Sequence, residues 1–205
     1  FKGVPPIPAA GEPVAVEVDG AFGEWGGAAP VFRDHRGDTR HRDHPGWGSA
    51  GPYVNRLGRN DIVEARVARE AETIAFYART DEPLTAPETD WMQLYIDGDG
   101  DPTTGWEGYD VLVAPDGSSD GEARLLHWSP EAGWTEQGRV PLAFAGNELE
   151  LAVPRALLPG LDLEGAHLDF KWVDNPFADD SARDFTHAGD AAPDDRFNFR
   201  YQLEK

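Results

Sequence analysis

Hydrophobic and polar positions alternate with a period of two over most of this chain, the pattern of strands that bury one face. The clearest case is residues 91–113. Met92, Leu94 and Ile96 alternate with Trp91, Gln93 and Tyr95, and further on Tyr109, Val111 and Val113 alternate with Asp110 and Leu112. The spacing predicts two strands joined by an acidic turn. Residues 14–19 alternate as a first strand, followed by an Asp19-Gly20 turn and by Trp25, which is expected to cap the core. Residues 61–68 and 73–80 predict a hairpin with Ile62, Ala65, Val67, Ile74, Phe76 and Ala78 facing inward. Weaker runs at 123–129 and 134–138 predict a second hairpin, and 140–144 pairs with 147–153 across Ala145-Gly146. Pro154 opens a single helical turn over 154–158. Leu168, Phe170 and Trp172 share one face of a later strand, and Phe197, Phe199 and Tyr201 alternate in a closing one. Roughly ten short runs with turn signals between them, and almost no 3.6-residue periodicity, predict an all-β fold: a jelly-roll-like antiparallel β-sandwich of two packed sheets with long rim loops.

The 205 residues suffice for one large domain. A formal net charge of -20 argues against nucleic acid and against an anionic membrane surface as partners. No apolar run approaches the roughly 20 residues of a membrane-crossing helix. There is no cysteine, so disulfides contribute nothing. Residues 1–13 are proline-rich and carry no apolar segment of the signal-peptide kind; they read as a linker from a preceding domain, with the folded domain over 14–205. A chain that begins on Phe1 is expected to be an excised part of a longer protein.

Residues 32–47 interrupt the alternation. They hold three histidines, four arginines and three aspartates with almost no aliphatic residue, which predicts a long loop. Asp34, His35, Asp38, His41, Asp43 and His44 are candidate transition-metal ligands. The interleaved arginines support the competing expectation, a loop ordered by Arg–Asp ion pairs.

Several motifs occur in a particular order: V-D-G-x-x-x-E-W from Val18 to Trp25, T-I-A-F-Y at 73–77, W-M-Q-L-Y-I-D at 91–97, L-E-L-A-V-P at 149–154 and F-K-W-V-D-N at 170–175. In that order they resemble the family 9 carbohydrate-binding modules and their DOMON-like relatives, from about residue 14 onward. The resemblance implies a sugar-binding β-sandwich, commonly with structural calcium, attached to a catalytic domain such as a glycoside hydrolase of a secreted, periplasmic or cell-surface bacterial protein. It also points to Asp174 and Asn175 as polar ligand contacts. The charged insertion at 33–47 departs from the family pattern, so sugar specificity does not carry over.

Carboxylates at alternate positions of a tight turn converge on a point, so Asp97, Asp99 and Asp101, with Glu107 and Asp110 to complete the shell, are candidate calcium ligands; a solvated acidic turn is the alternative. The loop is not an EF-hand, because Pro102 and Gly108 stand where that loop needs glycine and glutamate. Trp47 and Trp106 lie in glycine-flanked loops and are candidate sugar platforms, with Trp134 a weaker one; core packing is the alternative for each. Tyr53, Asn55 and Asn60 are candidate hydrogen-bonding partners. Trp172 is expected in the core. Thirty-eight acidic residues make a carboxylate pair uninformative, and no nucleophile elbow, zinc-protease helix or phosphate loop is present. Met92, the one methionine, faces the aliphatic side of its strand and offers no haem ligand. The expectation is a non-catalytic module binding a polysaccharide or oligosaccharide. The alternatives are a glycan-active enzyme using the 33–47 loop and a structural module packing on its parent domain.

Overall fold

The computed structural model describes residues 7–40, 42–46, 48, 51–56, 58–117, 121–161, 166–176, 185, 188–194 and 197–203, with Arg42 described in its backbone only. In chain order the strands are β1 (Val31–Arg33), β2 (Arg42–His44), β3 (Tyr53–Asn55), β4 (Ile62–Arg69), β5 (Thr73–Thr80), β6 (Gln93–Asp97) and β7 (Val111–Ala114). They continue as β8 (Glu122–Ser129), β9 (Gly133–Ala145), β10 (Glu148–Pro154), β11 (His167–Asp174), β12 (Asp190–Ala192) and β13 (Phe199–Gln202). Short 3-10 turns lie at Phe22–Gly27 and Arg155–Leu157.

The expected all-β antiparallel sandwich is present. One sheet runs β1-β4-β5-β10-β9-β8-β7-β6-β11-β12, with β13 also paired to β11, and folds over into two layers that nearly close as a barrel; β2 and β3 form a small separate sheet. The 13-residue β9 joins the layers, pairing with β8 from Gly133 to Pro141 and with β10 from Leu142 to Ala145. The stretches 134–138 and 140–144 are thus one strand. Gly138 lies within it beside a register shift between Leu125 and Leu126, an irregularity of the kind that adds local bend and twist.

The core lies between the layers. Ile62, Ala65, Val67, Ile74, Phe76 and Ala78 meet Leu94, Ile96, Val111, Val113, Leu168, Phe170 and Trp172 there, as the alternation predicts. Tyr109 does not join them. Asp110 lies outside both strands and shifts the alternation by one position, so Tyr109 emerges on the opposite face with Tyr95 and Leu112.

Residues 14–19 form no strand. Their alternation is real, but it is spent on the outer face of the first layer. There Val14, Val16 and Phe22 pack with Trp25 on Ala68, Ala75 and Tyr77. The Val16 N–H donates to the Glu70 carboxylate, 3.0 Å away, where a ladder partner would otherwise stand. Buried Glu150 ties this cover down. Its carboxylate accepts from Asp19 N–H at 3.0 Å, Gly20 N–H at 2.8 Å and Trp25 Nε1 at 2.7 Å. Two of the ordered motifs therefore meet in one hydrogen-bonded knot, and Trp25 covers the sheet rather than the space between layers. Phe197 is 63% exposed and precedes β13 instead of opening it.

Candidate functional site

The outer face of the second layer is aromatic. Tyr95 on β6 and Tyr109 are buried there against Phe185, with half-buried Trp106 and Trp134 packed on them. The Trp106 ring centroid lies 5.7 Å from Tyr95, 5.9 Å from Phe185 and 6.3 Å from Trp134. Trp134 in turn meets half-buried Trp128 edge-on at 5.5 Å. Local chain geometry presents Trp106 to this face: Trp106 and Tyr109 exchange backbone hydrogen bonds of 2.8 and 2.9 Å around Glu107 and Gly108, both at positive φ. That is the two-residue hairpin turn matched to strand twist. The Tyr109 hydroxyl donates to Asn198 Oδ1 at 2.6 Å, placing an amide at the margin of the patch.

The acidic turn beside it brings Asp97, Asp99 and Asp110 together, with ligand oxygens within 4.8 Å of one another. Asp101 and Glu107 stand apart from this set: Asp101 is exposed and accepts from Thr103, and Glu107 is exposed in the hairpin turn. Ladder register explains the substitution: Ile96 pairs with Val111, so Asp110 stands next to Asp97 just beyond the end of the β6–β7 ladder. Backbone N–H groups serve all three acids. Gly100 donates to Asp97 at 2.7 Å, Gly98 to Asp110 at 3.1 Å and Asp101 to Asp99 at 2.8 Å. Burial, with the charges of Asp110, Asp169 and Asp99, still pushes Asp97 up to about 7, against the pull of the Gly100 N–H.

The charged 32–47 loop is more ordered than its composition suggests, ending β1 and contributing β2. Its arginines reach carboxylates outside the loop: Arg33 to Glu64 at 3.2 Å and Arg36 to Asp81 at 3.1 Å. Asp43 pairs instead with Arg56, 3.0 Å away on the following segment. Among the described residues, the loop's ion pairs thus reach across to neighbouring segments. Asp34 and Asp38 turn inward toward Asp61, Asp190 and Asp194. Burial, then the charge of Asp194, pushes Asp34 up to about 7 and Asp38 up to about 6. His35 and His44 are not part of this group. His35 is exposed, and His44 packs 5.5 Å from the Tyr53 ring beside a shallow depression of about 390 Å³ lined by Asp43, His44, Pro45, Gly46 and Pro52. His41 and Trp47 lie outside the described residues.

The remaining candidates hold the scaffold together. Asn60 is buried; its side chain donates to Thr85 Oγ1 at 3.1 Å and accepts from Thr85 N–H at 3.0 Å, pinning the 82–90 loop. Asn55 is buried and donates to the Gly189 carbonyl at 2.8 Å. Asp174 has no exposed surface: Arg59 grips it at 2.7 and 3.2 Å and the Met92 N–H donates to it at 3.0 Å. Asn175, at φ 55°, donates its N–H to the Asp90 carbonyl at 2.7 Å. Trp172 is in the core, as expected. Sequence reasoning passed over Asp61, Asp190 and Asp194 as site members, and Tyr95 and Phe185 as parts of the aromatic face. Asp190 and Asp194 stand among the many acidic residues of 174–195, with no spacing that singles them out.

No protein-family model matches this sequence, and no curated protein is similar enough to it to count as a relative.

Proposed function

We propose that this chain is a non-catalytic carbohydrate-binding module, an accessory domain of a secreted or cell-surface polysaccharide-active protein such as a glycoside hydrolase. Trp106 and Trp134 form its sugar platform. The observation that carries the reading is the aromatic face: half-buried indoles 6.3 Å apart on a rigid sheet, backed by Tyr95, Tyr109 and Phe185. The axial C–H faces of a pyranose are apolar and stack on such rings, while its hydroxyls need polar partners, which exposed Asn198, held by the buried Tyr109 hydroxyl, offers beside them. The rings already pack on one another, so little side-chain entropy is lost on binding. Structural calcium in the Asp97, Asp99 and Asp110 turn belongs to the same proposal, since the turn leads directly into Trp106.

A second reading, a glycan-active enzyme using the charged loop, has one observation in its favour: Asp34 and Asp38 are pushed into the range of a general acid at neutral pH. Against it, the Asp38 carboxylate oxygens and one Asp34 oxygen are closed to solvent, and hence to a substrate.

Affinity electrophoresis through soluble polysaccharides, with product analysis of the same mixtures, separates the readings. Binding without product release is expected. Trp106→Ala and Trp134→Ala should each weaken binding by about tenfold or more, ~1.4 kcal/mol, with the fold intact by circular dichroism. Unaltered retardation of both variants would remove the platform, and released oligosaccharide would replace the module with an enzyme.

A further inference from the structure

The main sheet begins at β1 and ends at β12, and these ends approach one another instead of lying at opposite edges. The Asp34 N–H donates to the Val63 carbonyl of β4 at 3.2 Å, and Asp190, on β12, accepts from the Ile62 N–H of β4 at 2.7 Å. Five aspartates gather at this seam. Asp34 follows β1, Asp38 lies in the next turn, Asp61 precedes β4, Asp190 opens β12 and Asp194 lies just beyond it. Ligand oxygens of Asp34, Asp38 and Asp194 lie within 4.8 Å of one another, and so do those of Asp38, Asp61 and Asp190.

Crowded acids alone are common on protein surfaces. Here a second observation points to a ligand: Oδ2 of Asp34, both carboxylate oxygens of Asp38 and Oδ1 of Asp61 are closed to solvent and receive no hydrogen bond. The Asp190 side chain beside them is 3% exposed. A carboxylate deprived of both water and donors is strongly unfavourable unless a cation or a proton compensates. Among the described residues no arginine or lysine forms an ion pair with Asp34, Asp38, Asp190 or Asp194. Of the loop arginines, Arg33 is engaged by Glu64 and Arg36 by Asp81, and the charges of Arg36 and Arg40 reach Asp61 without an ion pair.

We propose that this seam is a calcium site, with Asp38 shared between the two sets and Asp34, Asp61, Asp190 and Asp194 around it. The donor set is oxygen only, which selects a hard cation over zinc or copper. Ligands on opposite sides of a calcium ion stand about 5 Å apart, twice the usual ~2.4 Å bond, which matches the spread of each set. Asp38, with neither oxygen occupied by a donor, suits a carboxylate that bridges the sets. The ion clasps the sheet ends, joining segments from opposite ends of the chain, and holds the charged loop against the body. Its binding free energy therefore adds to folding stability. The site is independent of the sugar platform and of the acidic turn.

The test uses the full chain, stripped with chelator and titrated with calcium chloride, followed by calorimetry and thermal melting. Wild type should gain several degrees in Tm. Asp38→Asn should bind at least one calcium ion fewer per chain and lose most of that gain. An Asp97→Asn/Asp99→Asn double variant should keep the seam's share, which separates this site from the turn. Asp194→Asn, at an exposed position, should weaken the seam's affinity by roughly tenfold or more, and it keeps the test decisive if Asp38→Asn does not fold. Equal stoichiometry and equal Tm gain in wild type, Asp38→Asn and Asp194→Asn would overturn the proposal. So would a wild type indifferent to calcium whose Tm rises only on acidification, because protons would then be what the cluster shares.

Discussion

The acidic turn and the acidic seam contain the same chemical group at similar crowding, yet they are built oppositely. In the turn, Asp97, Asp99 and Asp110 come from one hairpin, and the backbone that brings them together also solvates them through the N–H groups of Gly98, Gly100 and Asp101. In the seam, the acids arrive from the β1 loop, the start of β4 and the β12 segment, and several of their oxygens meet no donor. A local cluster can use its own turn as solvent, because Asp and Gly in tight turns aim N–H groups back at their carboxylates. A cluster assembled across the chain receives fewer such donors, the Gly37 N–H on Asp61 and the Ile62 N–H on Asp190, and must take the rest of its compensation from outside.

Glu150 supplies a third term, a buried acid fully served by protein donors, and its removal should have the largest effect. Glu150→Ala strands the Asp19 and Gly20 N–H groups and the Trp25 indole, and should cost about 3–5 kcal/mol, read by chemical denaturation. The loss should be the same with calcium or with chelator. A calcium-dependent loss would mean that the comparison between donor-served and ion-served acids is drawn wrongly.

Asp190→Asn should give a smaller effect that changes sign. The amide oxygen can still accept from Ile62 N–H, while the buried charge disappears. The variant should melt above wild type in chelator and below it in saturating calcium. A variant less stable under both conditions would show that Asp190 is purely a hydrogen-bond anchor.

The pH dependence of the calcium-free chain comes next. Asp34 is pushed up to about 7 and Asp38 to about 6, mainly by burial, so the folded state binds protons that the unfolded state has released. Carboxyls raised in this way favour folding while protonated, and that contribution is lost as pH rises through their folded values. In chelator, Tm should therefore fall between pH 5 and pH 8, and saturating calcium should flatten the slope. Asp97, also raised to about 7, contributes in the same direction, so comparing Asp34→Asn with Asp97→Asn apportions the slope between seam and turn. A Tm that climbs over this range in chelator would contradict the assignment. Asp101→Ala should be the mildest change. Its carboxylate is exposed and serves only Thr103, so Tm and calcium response should both stay close to wild type in a melting scan.

Much of the layered body could be read from alternation. The faces of β4, β5, β6 and β11 follow from which residues are apolar at every second position, since a one-residue slip would turn Ile74, Phe76 and Ala78 outward. Where alternation misled, a second surface was available. Residues 14–19 have a strand's pattern because they cover a sheet's outer face, and Tyr109 changes face because Asp110 takes an irregular position between turn and strand. The candidate sites were legible to the extent that they were local. Trp106 and the Asp97 turn stood out within a single hairpin, although Asp110, not Asp101, completes the set. Asp174 and Asn60 appeared as plausible ligand contacts because a polar residue looks alike in sequence whether it faces solvent or a buried arginine.

The sequence by itself determined the class of structure and the composition of its layers, because strand period and apolar spacing act over neighbouring residues. Only the tertiary structure decided which aromatic rings share the outer face, that Glu150 secures Trp25, and that aspartates from opposite ends of the chain meet at one seam. Those outcomes depend on strand order and on the curl that brings β12 back to β4. Strand order is set by packing of the whole core, and no stretch of sequence encodes it alone.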